Sequence, residues 1–224
     1  MKYNEIIYDI REALRQTIDD SNIDDREIIF QVNIQRSLFY RNQYNQRNRI
    51  IDEDIKQRLF VPISKVDENL CISTDCTTLR STIPIPKSIE LHHKNAILNV
   101  SSTTITNKNF SLVNWTNFLF SGNSRYSKNE VFVSLNTDGY LYLKVSNKLA
   151  KFIDTLLVDV ILENPLEVKD FVDCNSTSND CFNLDTFDYP IKQYAYATIK
   201  DVVVNTFINK LNIPEDKKND AESQ

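Results

Sequence analysis

Apolar residues near the start of the chain recur at three- and four-residue steps, Ile6, Ile7, Ile10, Leu14 and Ile18, leaving Glu5, Asp9, Glu12 and Arg15 for the other sides. This spacing predicts a helix with one buried stripe. Asp19-Asp20-Ser21-Asn22 interrupts it, and Asp24 with Glu27 three positions on gives the capping-box signal for a second helix over residues 25–49. Ile28, Ile29, Val32, Phe39 and Tyr40 are spaced to pack on the first helix. Beyond them, residues 41–49 contain no aliphatic side chain, and no acid occurs between Glu27 and Asp52. A short helical piece over 52–59 is expected to end ahead of Pro62.

From residue 60 the period shifts to two. Phe60–Val66 and Cys71–Ser73 read as extended, whereas Ile83-Pro84-Ile85-Pro86 must be an edge or connector, because proline cannot donate to a ladder. Further strands are expected at Ile89–Leu91, Ala96–Val100, Thr103–Thr106 and Trp115–Phe120. The clearest element is a hairpin, in which Glu130–Asn136 and Tyr140–Val145 flank Asp138-Gly139, a dipeptide suited to the positive backbone angles of a tight turn. Ile153–Leu162 reads as a strand stopped by Asn164-Pro165.

A short helix over Leu166–Phe171, a polar loop over 173–181 and a final helix over Ile191–Leu211 complete the pattern, the last with Ala195, Ile199, Val202, Val203 and Phe207 on one face. The end of the chain is charged and lacks aromatics, and alone it should be disordered. The predicted class is α+β. It comprises an N-terminal helical hairpin (1–59), a central antiparallel β-rich domain (60–164), a connecting loop with a C-terminal amphipathic helix (165–213) and a flexible tail (214–224).

Composition narrows the function. The chain has 224 residues, 41% hydrophobic and 25% charged, as in ordinary globular proteins. It has only two glycines, Gly122 and Gly139, where average usage gives about 15. Neither a phosphate-cradling loop nor a dinucleotide fingerprint can be built from two. A net charge of −5 argues against a general nucleic-acid coat, which needs a broad cationic surface. Eight of the ten arginines lie in the first 58 residues, while from Asp154 onward acids outnumber bases 14 to 6, so the two ends suit different partner surfaces. With no apolar leader and no membrane-length apolar run, synthesis in the cytosol is expected, with Cys71, Cys76, Cys174 and Cys181 reduced.

Candidate chemistry is sparse. Zinc ligation favours cysteine pairs with two to four residues between them; Cys71/Cys76 sits at that limit and Cys174/Cys181 exceeds it, so no metal or other cofactor is expected. Cys174 and Cys181 have the alternative of closing a loop as a disulfide after release into an oxidising environment. His92-His93 follows a predicted strand, where neighbours point to opposite faces and cannot share a substrate. No G-x-S-x-G elbow and no catalytic constellation occurs. The arginine-rich helix end, with Arg36, Arg41, Tyr44, Arg47 and Arg49, has two readings: a solvated end complementing the helix dipole, or a projecting surface that meets another subunit or faces confined nucleic acid.

The order of elements carries a resemblance. Two helices with an Arg/Asn/Gln-rich end, a β-rich middle with the Asp138-Gly139-Tyr140-Leu141-Tyr142-Leu143-Lys144 hairpin, a strand entering Glu163-Asn164-Pro165, and an amphipathic helix with a charged tail together resemble the neck and tail ring proteins of crAss-like bacteriophages. The resemblance runs from Tyr3 to Leu211. It implies a structural virion protein without catalytic activity, made in the host bacterial cytoplasm and assembled into a ring of twelve copies. The ring would contact the portal protein or neighbouring ring and tail proteins, surround a conduit for DNA without specific binding, and touch no membrane. A different phage or host interaction module is the alternative reading, and a hydrolase or metal enzyme a third.

Overall fold

The computed structural model describes residues 1–16, 23–47, 53–66, 70–71, 75–91, 94–104, 110–122, 130–172 and 182–211. Helices α1 (Tyr3–Arg15) and α2 (Asp25–Arg47) precede strands β1 (Gln57–Lys65), β2 (Cys76–Ser81), β3 (Glu90–Leu91), β4 (Lys94–Asn95), β5 (Ile97–Ser102) and β6 (Ser111–Leu112). Helix α3 (Trp115–Phe120), strands β7 (Phe132–Leu135), β8 (Leu141–Ser146) and β9 (Thr155–Val160), and helix α4 (Gln193–Leu211) follow. The α+β class stands. The chain divides into two compact units, Met1–Phe39 with Leu184–Gln224, and Tyr40–Asn183. This division unites the two chain ends, whereas the sequence expectation followed chain order.

In the first unit α1 buries Tyr3, Ile6, Ile7, Ile10 and Leu14, and it packs against α4, which buries Ala195, Ile199, Val203 and Phe207. Val202, expected on the same face, is exposed; at one residue from Val203 it is turned by about 100°. Asp24 caps α2, its Oδ1 accepting from the Arg26 N–H at 3.3 Å. Tyr196 Oη and Lys200 Nζ on α4 donate to Asp9 Oδ2 on α1 at 2.6 and 2.8 Å. Two backbone bonds fasten the N-terminus to the segment before α4: Tyr3 N–H to the Phe187 carbonyl at 3.1 Å and Tyr189 N–H to the Met1 carbonyl at 2.9 Å.

The second unit is built on a sheet of order β5-β9-β1-β2-β8-β7-β6. Strand β1 joins its halves. Residues 57–62 pair with β9 and residues 63–65 with β2, so Pro62, which has no N–H, falls where the partner changes. The sheet curls until its edges approach, Phe110 N–H donating to the Val100 carbonyl at 2.9 Å. Leu59, Val61, Leu141, Leu143, Val158 and Val160 fill the interior. The β7–β8 hairpin forms as expected, with Gly139 at φ +81°, and Asn164 caps the 3₁₀ turn Pro165–Phe171 through the Leu166 N–H.

Four expectations change. The helical piece over 52–59 is only a 3₁₀ turn, Glu53–Ile55, because from Gln57 onward the backbone is taken by the ladder with β9. Strand β2 forms at Cys76–Ser81, after the expected Cys71–Ser73 segment, of which Ile72 and Ser73 lie outside the described residues. Trp115–Phe120 is a helix, not a strand. Trp115 and Phe118, three residues apart, stack at 5.3 Å between centroids, Phe118 is buried, and Lys144 Nζ reaches from β8 to the Leu119 carbonyl at 2.8 Å. Packing and this C-terminal cation outweigh the β propensity of the aromatics. Of the strand expected at Thr103–Thr106, Thr103 and Thr104 lie beyond β5, and Ile105 and Thr106 are outside the described residues.

Candidate interaction surface

Helix α2 is apolar on two opposite faces. One face is buried through Ile28, Ile29, Val32, Arg36 and Tyr40. The other carries Phe30, Ile34 and Leu38 at successive four-residue steps, with exposures of 59%, 36% and 44%. At 100° per residue these three, with Arg41 three positions on, fall within one stripe turned away from the buried face. The core spacing expected from the sequence covers the buried face and not this one. Its signal was the second set of four-residue spacings, hidden because Phe30 and Leu38 adjoin residues of the set assigned to the core.

Arg36 belongs to the inside of the protomer. It is fully buried, its Nε donates to the Pro190 carbonyl at 2.9 Å, and its guanidinium lies 5.7 Å from the centroid of Tyr189. Tyr189 Oη in turn donates to Asn33 Oδ1 on α2. The expectation that Arg36 meets another subunit is therefore corrected: it anchors the segment before α4. Arg41 is exposed and Tyr44 half-buried. The Arg47 side chain and all of Arg49 lie outside the described residues.

The second unit presents an open cleft of about 330 Å³, lined by Ile97, Leu98, Leu112, Trp115 and Leu135 among others. Asn95, one of its lining residues, stands opposite Glu90 in the β3–β4 pair, so the two side chains share a face. Among the described residues neither Arg41 nor Glu90 has an ion-pair partner.

Cys71 and Cys76 are joined as a disulfide, Cα atoms 5.7 Å apart. The expectation that all four cysteines are reduced is corrected for this pair: at that separation the two thiols are within bonding reach, which compartment reasoning cannot foresee. Cys174, Cys181, His92 and His93 lie outside the described residues. Among the described residues no group of three or more His, Cys, Asp or Glu gathers to hold a metal ion, and no helix is long and apolar enough to cross a membrane.

Comparison with known proteins gives these surfaces a setting. Residues 5–224 match the family described as Phage tail ring protein 2. The chain belongs to that family. It is also 22% identical over 229 residues to Ring protein 2 of Bacteroides phage crAss001, covering 99% of this chain and 96% of that protein. The resemblance read from element order is thus shown across nearly the whole length, and the protein is a structural ring protein of a phage tail. Membership bears on the α2 stripe and the cleft, since a ring subunit must meet its neighbours through surfaces that lie outside its own core.

Proposed function

We propose that the chain is the subunit of a closed ring of twelve identical copies in the neck–tail conduit of a phage virion, through which DNA leaves the capsid, and that it performs no catalysis. The carrying observation is the family match over residues 5–224. Identical subunits joined head to tail close into a ring when the rotation between neighbours permits it, and this needs two different, complementary surfaces per copy. The outer face of α2 and the cleft of the second unit are two such surfaces. A net charge of −5 suits a conduit whose wall must release DNA.

On this reading the subunit is made in the host bacterial cytoplasm and ends in the virion. Arg41 and Tyr44, with Arg47 and Arg49 further along the chain, contact a neighbouring subunit, the portal protein or an adjacent tail ring. Arg36 is withdrawn from that set by its burial. Cryo-electron microscopy of the purified virion tests the proposal: twelvefold density for this chain in the neck or tail is expected. Absence of the chain from virions, or a ring of another symmetry, overturns it.

A further inference from the structure

The two surfaces differ in shape. The α2 stripe is convex, three large side chains at four-residue steps with a cation beyond them. The cleft is concave, its lining about half apolar, from aliphatic side chains and Trp115, and about half polar, with Asn95 and Asn114 in it; the Glu90 carboxylate shares a strand face with Asn95. A helix seated in a groove through apolar residues one turn apart is a recurring mode of protein recognition. The charges agree in sign: Arg41, one turn beyond Leu38, is cationic, and Glu90 beside Asn95 is anionic. Residues 28–50 contain no acid that would repel Glu90. The face is also unlike a solvated helix surface, which would carry lysine and glutamate where Phe30, Ile34 and Leu38 stand.

Resting on the ring reading, we infer that the occupant of the cleft is the α2 outer face of a second copy of this chain, with Phe30, Ile34 and Leu38 entering against Leu98, Leu112 and Trp115, and Arg41 pairing with the neighbour's Glu90. The contact is heterologous, each copy giving its helix to one neighbour and its cleft to the other. This polarity is what permits closure into a ring rather than arrest at a dimer.

The test uses the full chain and native mass measurement across a concentration series. Arg41→Glu and Glu90→Arg should each raise the concentration of half-assembly about tenfold, and the double exchange should restore it to within about threefold. Phe30→Asp should raise it by about a hundredfold or more. Circular dichroism controls for folding, and because Phe30 is exposed the monomer should melt as wild type. A second readout is independent of affinity: Phe30→Cys protein mixed with Leu98→Cys protein should cross-link between copies under mild oxidation, while either alone should not. Wild-type chain that stays monomeric throughout overturns the ring reading and this inference with it. Wild-type chain that forms rings, while the variants assemble equally well or the mixed pair fails to cross-link, overturns this inference alone.

Discussion

Replacing Arg36 with methionine separates an internal anchor from an intersubunit contact. Methionine keeps most of the aliphatic volume and removes the charge and its donors. The lost bond to the Pro190 carbonyl is charge-assisted and buried, worth about 1.5–3 kcal/mol. The guanidinium over Tyr189 adds about 0.5–2 kcal/mol. Against these, methionine avoids the desolvation of a buried cation, which offsets part of the loss. A net destabilisation of about 2–3 kcal/mol follows, equivalent to a fall in Tm of about 5–10 °C for a chain of this size.

The loss should be local. Urea titration followed by helical circular dichroism should shift, and amide exchange should accelerate in α1, α4 and the backbone bonds of Tyr3 and Tyr189, which share the Arg36 anchor. Trp115 lies in the other unit, so its fluorescence offers an internal comparison. Arg36→Lys should fall between, keeping a cation without the planar fork. A variant whose monomer unfolds within about 0.5 kcal/mol of wild type, yet fails to assemble, would refute the reasoning and return Arg36 to the intersubunit surface.

Three further outcomes are expected. Reduction of Cys71–Cys76, or their joint replacement by serine, should cost about 2 kcal/mol by chemical denaturation, since a loop of five-residue separation constrains the unfolded chain only modestly. Burial opposes the Asp9 carboxylate, but the hydrogen bonds from Lys200 and Tyr196 outweigh it and hold its pKa below the ordinary value. Its contribution is therefore present above the unfolded pKa and lost as pH falls through the folded one, so Asp9→Asn should remove part of the acid-side slope of stability below about pH 4. Burial lowers the Lys144 pKa, so the unfolded chain holds the proton more tightly; stability should rise with pH in the window below the ordinary lysine value, and Lys144→Met should flatten that rise in alkaline denaturation.

Elements with a single dominant period were legible in the sequence. The α1 stripe, the Asp138-Gly139 turn and the Asn164-Pro165 stop each follow from local chemistry that the fold leaves intact. Trp115–Phe120 was not legible, because its helix depends on Phe118 being buried and on a lysine that arrives from β8. Strand β2 begins at the disulfide and carries Thr77, Thr78 and Arg80, whose partners on β8 lie more than sixty residues away. Of the arginine set, spacing named the residues but not their direction. Arg36 and Arg41 differ by five positions, about 140° on a helix, and that angle separates the interior from solvent.

The doubly apolar character of α2 bears on how a ring would assemble. Full burial of a Phe, Ile or Leu contributes about 1.5–3 kcal/mol, and these three are already partly covered, so completing the burial adds about 1 kcal/mol each. With the apolar half of the cleft's lining the contact gains several kcal/mol, comparable with the lower end of the about 4–15 kcal/mol lost as rotational and translational freedom on association. One such contact is therefore weak, and an isolated pair is short-lived. The subunit that closes a ring makes two contacts while losing its freedom once, so closure favours the complete ring over every open intermediate. Native mass spectra across the assembly transition should accordingly show monomer and full ring with little between them. A ladder of stable dimers and trimers would mean that the pairwise contact is far stronger than this helix and cleft can supply.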